Sequence, residues 1–250
     1  MGNIRESARK YTLKVLTKIF RKPYNDLTEG FVELRDQQAN DYVRDQIHQA
    51  KNGLMVSKWG TTELGTVCSL LSDDLHIPLK DIYEGKVSYD RTGSVAWLVN
   101  NSGFFPNSLP AGEKFAHLAL EDAREIDILG SYAKLEYYVR NYTEKARKIN
   151  LNGYYAPFLW ENPWTKELKG KKVLVVHPFA ETIKKQYDKR EHLFENPDVL
   201  PEFKKLTVIK AVQSIAGNSS ETGFKDWFEA LDFMKNQMDQ SDYEIALIGW

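Results

Sequence analysis

Lys172-Val173-Leu174-Val175-Val176-His177-Pro178-Phe179-Ala180-Glu181 is the stretch that decides the fold class of this chain. Four consecutive aliphatics predict a strand buried on both faces. Pro178 ends that strand, and Ala180-Glu181 open a helix. Gly53-Leu54-Met55-Val56-Ser57-Lys58-Trp59-Gly60-Thr61-Thr62-Glu63-Leu64 follows the same order of an apolar run, a polar corner and a helix start. A strand that feeds a helix through a tight corner is the building unit of open α/β sheets. Such sheets bind ligands beyond the carboxyl ends of their strands. The polar residues at these corners are therefore where chemistry is expected.

Working outward, further strands are expected at 94–99, 206–212 and 243–248, each rich in β-branched or aliphatic residues. Helices are expected over 31–50, from Thr61 or Thr62 through Leu64, Val67, Cys68 and Leu71, and over 113–128 and 135–149. Two more follow, one marked by Ile183 and Tyr187 and one by Phe224, Trp227, Phe228, Leu231 and Met234, the clearest 3.6-residue pattern in the chain. Strands alternating with helices predict an α/β fold, a mainly parallel sheet with helices on both faces. The last strand runs to Gly249-Trp250, which suggests a sequence cut short.

The chain has 250 residues, 42% hydrophobic and 28% charged, and reads as globular. No apolar run approaches the roughly 20 residues that span a bilayer, and no secretory signal is evident. The one cysteine, Cys68, cannot form an internal disulfide and fits a reducing compartment. A cytoplasmic location is expected. The net charge of −1 conceals an asymmetry: residues 1–23 carry seven basic side chains and one acid, leaving 27 basic and 34 acidic residues in 24–250. An acidic body argues against nucleic acid as a partner. The head reads as a basic amphipathic helix closed by Pro23, with Ile4, Ala8, Tyr11, Val15 and Ile19 on one side and Lys10, Lys14, Lys18, Arg21 and Lys22 on the other. It suits either an anionic membrane surface or packing on the body with a solvated basic face. Residues 24–250 are read as a single α/β domain.

At the first corner Gly60, Thr61, Thr62 and Glu63 combine backbone N–H groups, two hydroxyls and a carboxylate in the first turn of a helix. Such a turn can hold phosphate, while Glu63 can take a sugar hydroxyl or a divalent cation shared with a pyrophosphate; alternatively Thr61 caps the helix and Glu63 complements its dipole. His177, at a strand's carboxyl end, can donate to phosphate or act as a base, or can be a core histidine bonded to a carbonyl. Asn101 and Ser102 at another corner, and Gln213 and Ser214 at a fourth, offer neutral hydrogen bonds. Of the basic side chains after His177, Arg190 is one that can reach an anionic ligand. The other histidines lack metal-ligand spacing. Dinucleotide, P-loop and serine-hydrolase signatures are absent.

The run Ser57-Lys58-Trp59-Gly60-Thr61-Thr62-Glu63-Leu64 resembles the Arg-Phe-Gly-x-x-Glu-Leu block of GT-D-fold glycosyltransferase-like proteins of bacterial polysaccharide loci. His177-Pro178-Phe179, the 208–217 segment, and Trp227-Phe228-Glu229-Ala230-Leu231 ahead of Ala246-Leu247-Ile248-Gly249 are similar to later blocks of that group, so the resemblance spans about residues 50–250. It implies a Rossmann-like domain that moves a sugar from a nucleotide-sugar donor, commonly UDP-linked, to a surface-polysaccharide or lipid-linked acceptor; the basic head, outside the resemblance, would bring it to the inner membrane face. A non-catalytic nucleotide- or glycan-binding protein of a polysaccharide assembly complex is the alternative. Where that group has an Asp-x-Glu pair that contacts donor and divalent metal, this chain has Thr61 and Glu63; Lys58 and Trp59 replace the Arg and aromatic. Mn or Mg dependence thus lacks one of its two carboxylates. Glu63 and His177 are the candidate catalytic residues. Lys58, Gly60, Thr61, Thr62, Asn101, Pro178, Phe179, Arg190, Gln213 and Ser214 are the candidate donor-binding ones.

Overall fold

The computed structural model describes residues 2–20, 31–214 and 220–249, with side chains of 2–10 excepted. Pro23, Arg21, Lys22, the outer part of the last polar corner (215–219) and Trp250 lie outside the described residues. The first two helices are α1 (Gly2–Phe20) and α2 (Asp36–Gln49). Strand β1 (Val56–Ser57) then leads into α3 (Thr61–Leu70), α4 (Leu79–Tyr83), α5 (Arg91–Ser102) and α6 (Leu109–Ala123). Strand β2 (Ile128–Ser131), α7 (Glu136–Val139), β3 (Arg147–Asn150) and α8 (Asn152–Tyr155) complete the first half. The second half has β4 (Lys172–His177), α9 (Ala180–Tyr187), β5 (Lys205–Lys210), α10 (Trp227–Asp239) and β6 (Ile245–Ile248).

The fold is α/β, and every strand pairing is parallel. In place of the one sheet expected, there are two three-stranded sheets, in the orders β1-β2-β3 and β5-β4-β6. In the second, His177 pairs with Lys210 and Val176 with both Ile209 and Ile248. Central β4 distributes its aliphatics between two cores: Leu174 and Val176 join Ile209 and Met234, while Val173 and Val175 join Leu168 and Phe203. That two-sided burial is why the strand reads as an uninterrupted aliphatic run.

The 94–99 segment is helix α5, not a strand. Asp90 caps it by accepting the Gly93 N–H at 3.0 Å. Gly103, at φ +65°, closes it with its own N–H on the Leu98 carbonyl. Val95, Leu98, Val99 and Ser102 form its buried face, so the cap and stop residues outweighed β-branched content. The 135–149 segment is also not one helix: α7 is a single turn, and the chain continues into β3. Strand β2 was unexpected because its four residues extend a helical pattern, and a run that short has no period of its own. It is buried at every position. Gly130 within it is required by Tyr154, since a Cβ there would fall 2.2 Å from the Tyr154 ring.

The largest core gathers α3, α5 and α6 around Leu64, Val67, Leu98 and Phe104. The second half joins it through α10, whose Trp227 ring lies 5.8 Å from Phe104 and 5.5 Å from Phe115. The Trp227 N–H donates to the Phe105 carbonyl at 2.8 Å. Helix α1 packs on α4 through Leu13, while Tyr11, Val15 and Ile19, the expected apolar side, face outward. No helix among the described residues is long and apolar enough to cross a membrane.

Candidate functional site

The β1–α3 corner is built around a close approach. Gly60 precedes the helix in extended backbone, and Glu63 folds back so far that a Cβ on Gly60 would stand 1.9 Å from its carboxylate oxygen. The glycine thus leaves room for Glu63 to take up this posture. This posture keeps a negative charge over the unpaired N–H groups of the first turn. Thr61 is exposed, Thr62 is half-buried, and the Thr62 carbonyl accepts the Thr66 hydroxyl at 2.9 Å.

Three tyrosines stand on the neighbouring strand ends. Tyr132, just past β2, donates its hydroxyl to the Trp59 carbonyl at 2.8 Å, and the Lys58 ammonium lies 5.7 Å from its ring centre. Burial raises the Tyr132 phenol above its ordinary range, and the nearby Glu63 and Glu136 charges add to this. Burial raises Tyr154 further still, with Tyr132, Tyr155 and Glu136 contributing. Both phenols therefore remain protonated donors at neutral pH. Tyr155 is 65% exposed. The buried Glu136 carboxylate organises the loop after β2, accepting the Tyr132 and Ala133 N–H groups at 3.0 and 2.8 Å and the Ser131 hydroxyl.

Helices α3 and α5 pack closely: the Thr66 hydroxyl donates to the Ser94 carbonyl at 3.1 Å, and Leu70 and Val95 both border Gly112. The last turn of α5 holds exposed Asn101 and buried Ser102. Gly103 follows, and its carbonyl accepts the hydroxyl of buried Ser214, beyond the end of β5. On the adjacent strand end, the His177 carbonyl accepts the Ala211 N–H at 3.2 Å. Gln213 is exposed, and Pro178 and Phe179 follow His177, so the carboxyl end of the second sheet forms a polar rim.

His177 Nδ1 accepts the Phe179 N–H at 3.1 Å, so a neutral ring carries its proton on Nε2. The Phe179 ring is 5.4 Å away and 63% exposed. Gly249 lies against the other side of the imidazole, where a Cβ would approach within 2.4 Å. Among the described residues, no hydrogen bond, ion pair or ring contact joins Glu63 to His177. They follow strands of different sheets, β1 and β4.

Arg190 is not brought to this rim. Helix α9 carries the chain away from His177 for eight residues, about 12 Å. Its guanidinium is instead 3.9 Å from Glu202 and stacked over Tyr187 at 5.3 Å. Tyr132, Tyr154 and Tyr155 were missed because the strands before them were hidden; the Gly130-Ser131 stop after two aliphatics was the available signal. A cavity of about 590 Å³ lies elsewhere. It sits at the far end of α3 between Leu71, Leu13 and Asp90, at no strand's carboxyl end. Its cation Arg91 is paired with Glu113, so the polar rim is the stronger candidate.

One carboxylate beside two threonines does not build an all-protein Mn or Mg site; a divalent ion there would rest on Glu63 and on the donor's phosphates. No group of three His, Cys, Asp or Glu among the described residues has that arrangement either. No protein-family model, curated protein or solved structure matches this chain.

Proposed function

We propose that this chain is a Rossmann-like glycosyltransferase of the GT-D type, with helices on both faces of its sheets. It transfers a sugar from a nucleotide-sugar donor, UDP-linked, to a surface-polysaccharide or lipid-linked acceptor. The polar 60–63 corner, at the carboxyl end of β1 with Glu63 close to Tyr132, supports this most directly. Strand carboxyl ends are where such sheets take ligands. The N–H groups opening α3 and the Lys58 ammonium suit the donor pyrophosphate, as does the His177 Nε2–H. Tyr132 and Tyr155 offer ring faces and hydroxyls to a sugar or base.

In the reaction an acceptor hydroxyl oxygen forms a bond to the sugar's anomeric carbon as the bond from that carbon to the phosphate oxygen breaks. The electron pair leaves with the nucleoside diphosphate, whose charge the rim's donors stabilise. The acceptor's proton passes to a base within hydrogen-bond reach, the role given to Glu63. No step runs through a metal.

Thermal denaturation with a panel of nucleotide sugars, with and without manganese, tests the donor site. One donor at about a hundredfold excess over its Kd raises Tm by roughly 5 °C or more, with no need for manganese. Indifference to every nucleotide overturns the assignment. Glu63→Gln is expected to lower turnover about a hundredfold or more while donor stabilisation persists. Thr61, standing where the resemblance expects a carboxylate, favours the second reading, a non-catalytic binder. Donor stabilisation without any turnover would establish that alternative.

A further inference from the structure

Helix α1 has two apolar faces, and only one is used by the body. Leu13 is 7% exposed, clustered with Leu70, Leu71 and Ile82, and the Phe20 ring meets Tyr83 in a tilted pair at 5.6 Å. On the outer side Tyr11, Val15 and Ile19 recur every four residues, so they form one row. They are 71%, 41% and 66% exposed. Scattered exposed apolar residues are normal, but a continuous row on a helix marks a surface that meets an apolar phase or a partner. Lys14 and Lys18, both exposed, flank the row on the same outward side. The charge distribution indicates what that phase is. Residues 1–23 carry a net charge of +6, against −7 for the remaining 227 residues. An anionic surface would therefore attract the head and repel the body, turning this row toward itself.

We propose that α1 is a docking helix for an anionic phospholipid surface, held to the body by Leu13 and inserting Tyr11, Val15 and Ile19 between headgroups while Lys14 and Lys18 pair with phosphates. An interfacial helix needs an apolar row, flanking cations and a fixed orientation. Here the packing on α4 supplies the orientation. This goes beyond the donor site and is independent of it.

Co-sedimentation of the full-length chain with vesicles tests it, using phosphatidylglycerol and phosphatidylcholine in equal parts against phosphatidylcholine alone. The chain is expected to partition at least tenfold more strongly onto the anionic vesicles, and to be released as salt rises from about 0.1 M to about 0.5 M. Replacing Tyr11, Val15 and Ile19 together by Ser is expected to lower anionic partitioning about tenfold or more. Lys14→Gln with Lys18→Gln is expected to do the same. All five side chains are exposed, and far-UV circular dichroism with an unchanged Tm verifies that each variant is folded. No partition onto anionic vesicles, equal partition onto both kinds, or partition unaffected by the triple replacement would overturn the proposal. Concentration-dependent dimerisation lost in the triple variant, without vesicle binding, would overturn it in favour of self-association. No nucleotide sugar is present, so failure here leaves the donor assignment standing, and failure of the donor assignment leaves this one standing.

Discussion

Gly60 and Glu63 share a space in which only a hydrogen fits on the Gly60 Cα. Because the obstructing atom is the end of a flexible side chain, Gly60→Ala is expected to preserve the fold and displace the carboxylate. Donor turnover should then drop roughly tenfold with Tm nearly unchanged, a misplacement effect that kinetics beside thermal melts will detect. Gly130 faces a harder obstacle, the ring of Tyr154 against a buried strand. Gly130→Ala should cost about 1–3 kcal/mol in urea unfolding, and much less in a Tyr154→Leu background, because the two side chains compete for one volume. Cys68 shows what burial does to a group with no function on the rim. It is fully enclosed, and its thiol is pushed up to about 12. The folded state thus disfavours the thiolate, and stability attributable to this group falls as pH rises past its ordinary value of 9.0. At pH near 8, a disulfide reagent should label the protein only after unfolding.

At the scale of elements, α5 illustrates how end signals override composition. Its middle carries valines and a tryptophan, which favour strands, yet Asp90 holds the first turn and Gly103 the last. Asp90→Ala should destabilise the protein by about 1 kcal/mol through loss of the cap. Gly103→Ala should cost at least about as much, since a side chain is strained at φ +65°. Both are measurable as urea-midpoint shifts at constant m-value. These ends also have a positional role. The C-terminal turn of α5 leads into Gly103, whose carbonyl accepts the Ser214 hydroxyl, so a helix that frays there should loosen the Ser214 segment as well as the fold.

For the whole molecule, the decisive contacts are few and far apart in sequence. Ser214 bonds Gly103 across 111 positions, and the Trp227 ring packs against Phe104 and edge-on to Phe115. Ser214→Ala would leave the buried Gly103 carbonyl without this donor. A loss of about 1–3 kcal/mol in urea unfolding is expected, and an unchanged midpoint would show that the other contacts between the halves suffice.

The α/β class, the strands β4, β5 and β6, and the corners holding Glu63 and His177 were legible in the amino-acid order, because uninterrupted burial leaves aliphatic runs and helix starts leave small polar residues. Strands β2 and β3 were not, since four residues in a sheet carry too little periodicity to outvote a neighbouring helix. The division into two sheets, the removal of Arg190 to another surface and the tyrosines beside Glu63 were decided only in three dimensions. Local sequence determines which backbone states are affordable to each segment; which segments become neighbours depends on contacts between residues a hundred positions apart, and those leave no local pattern.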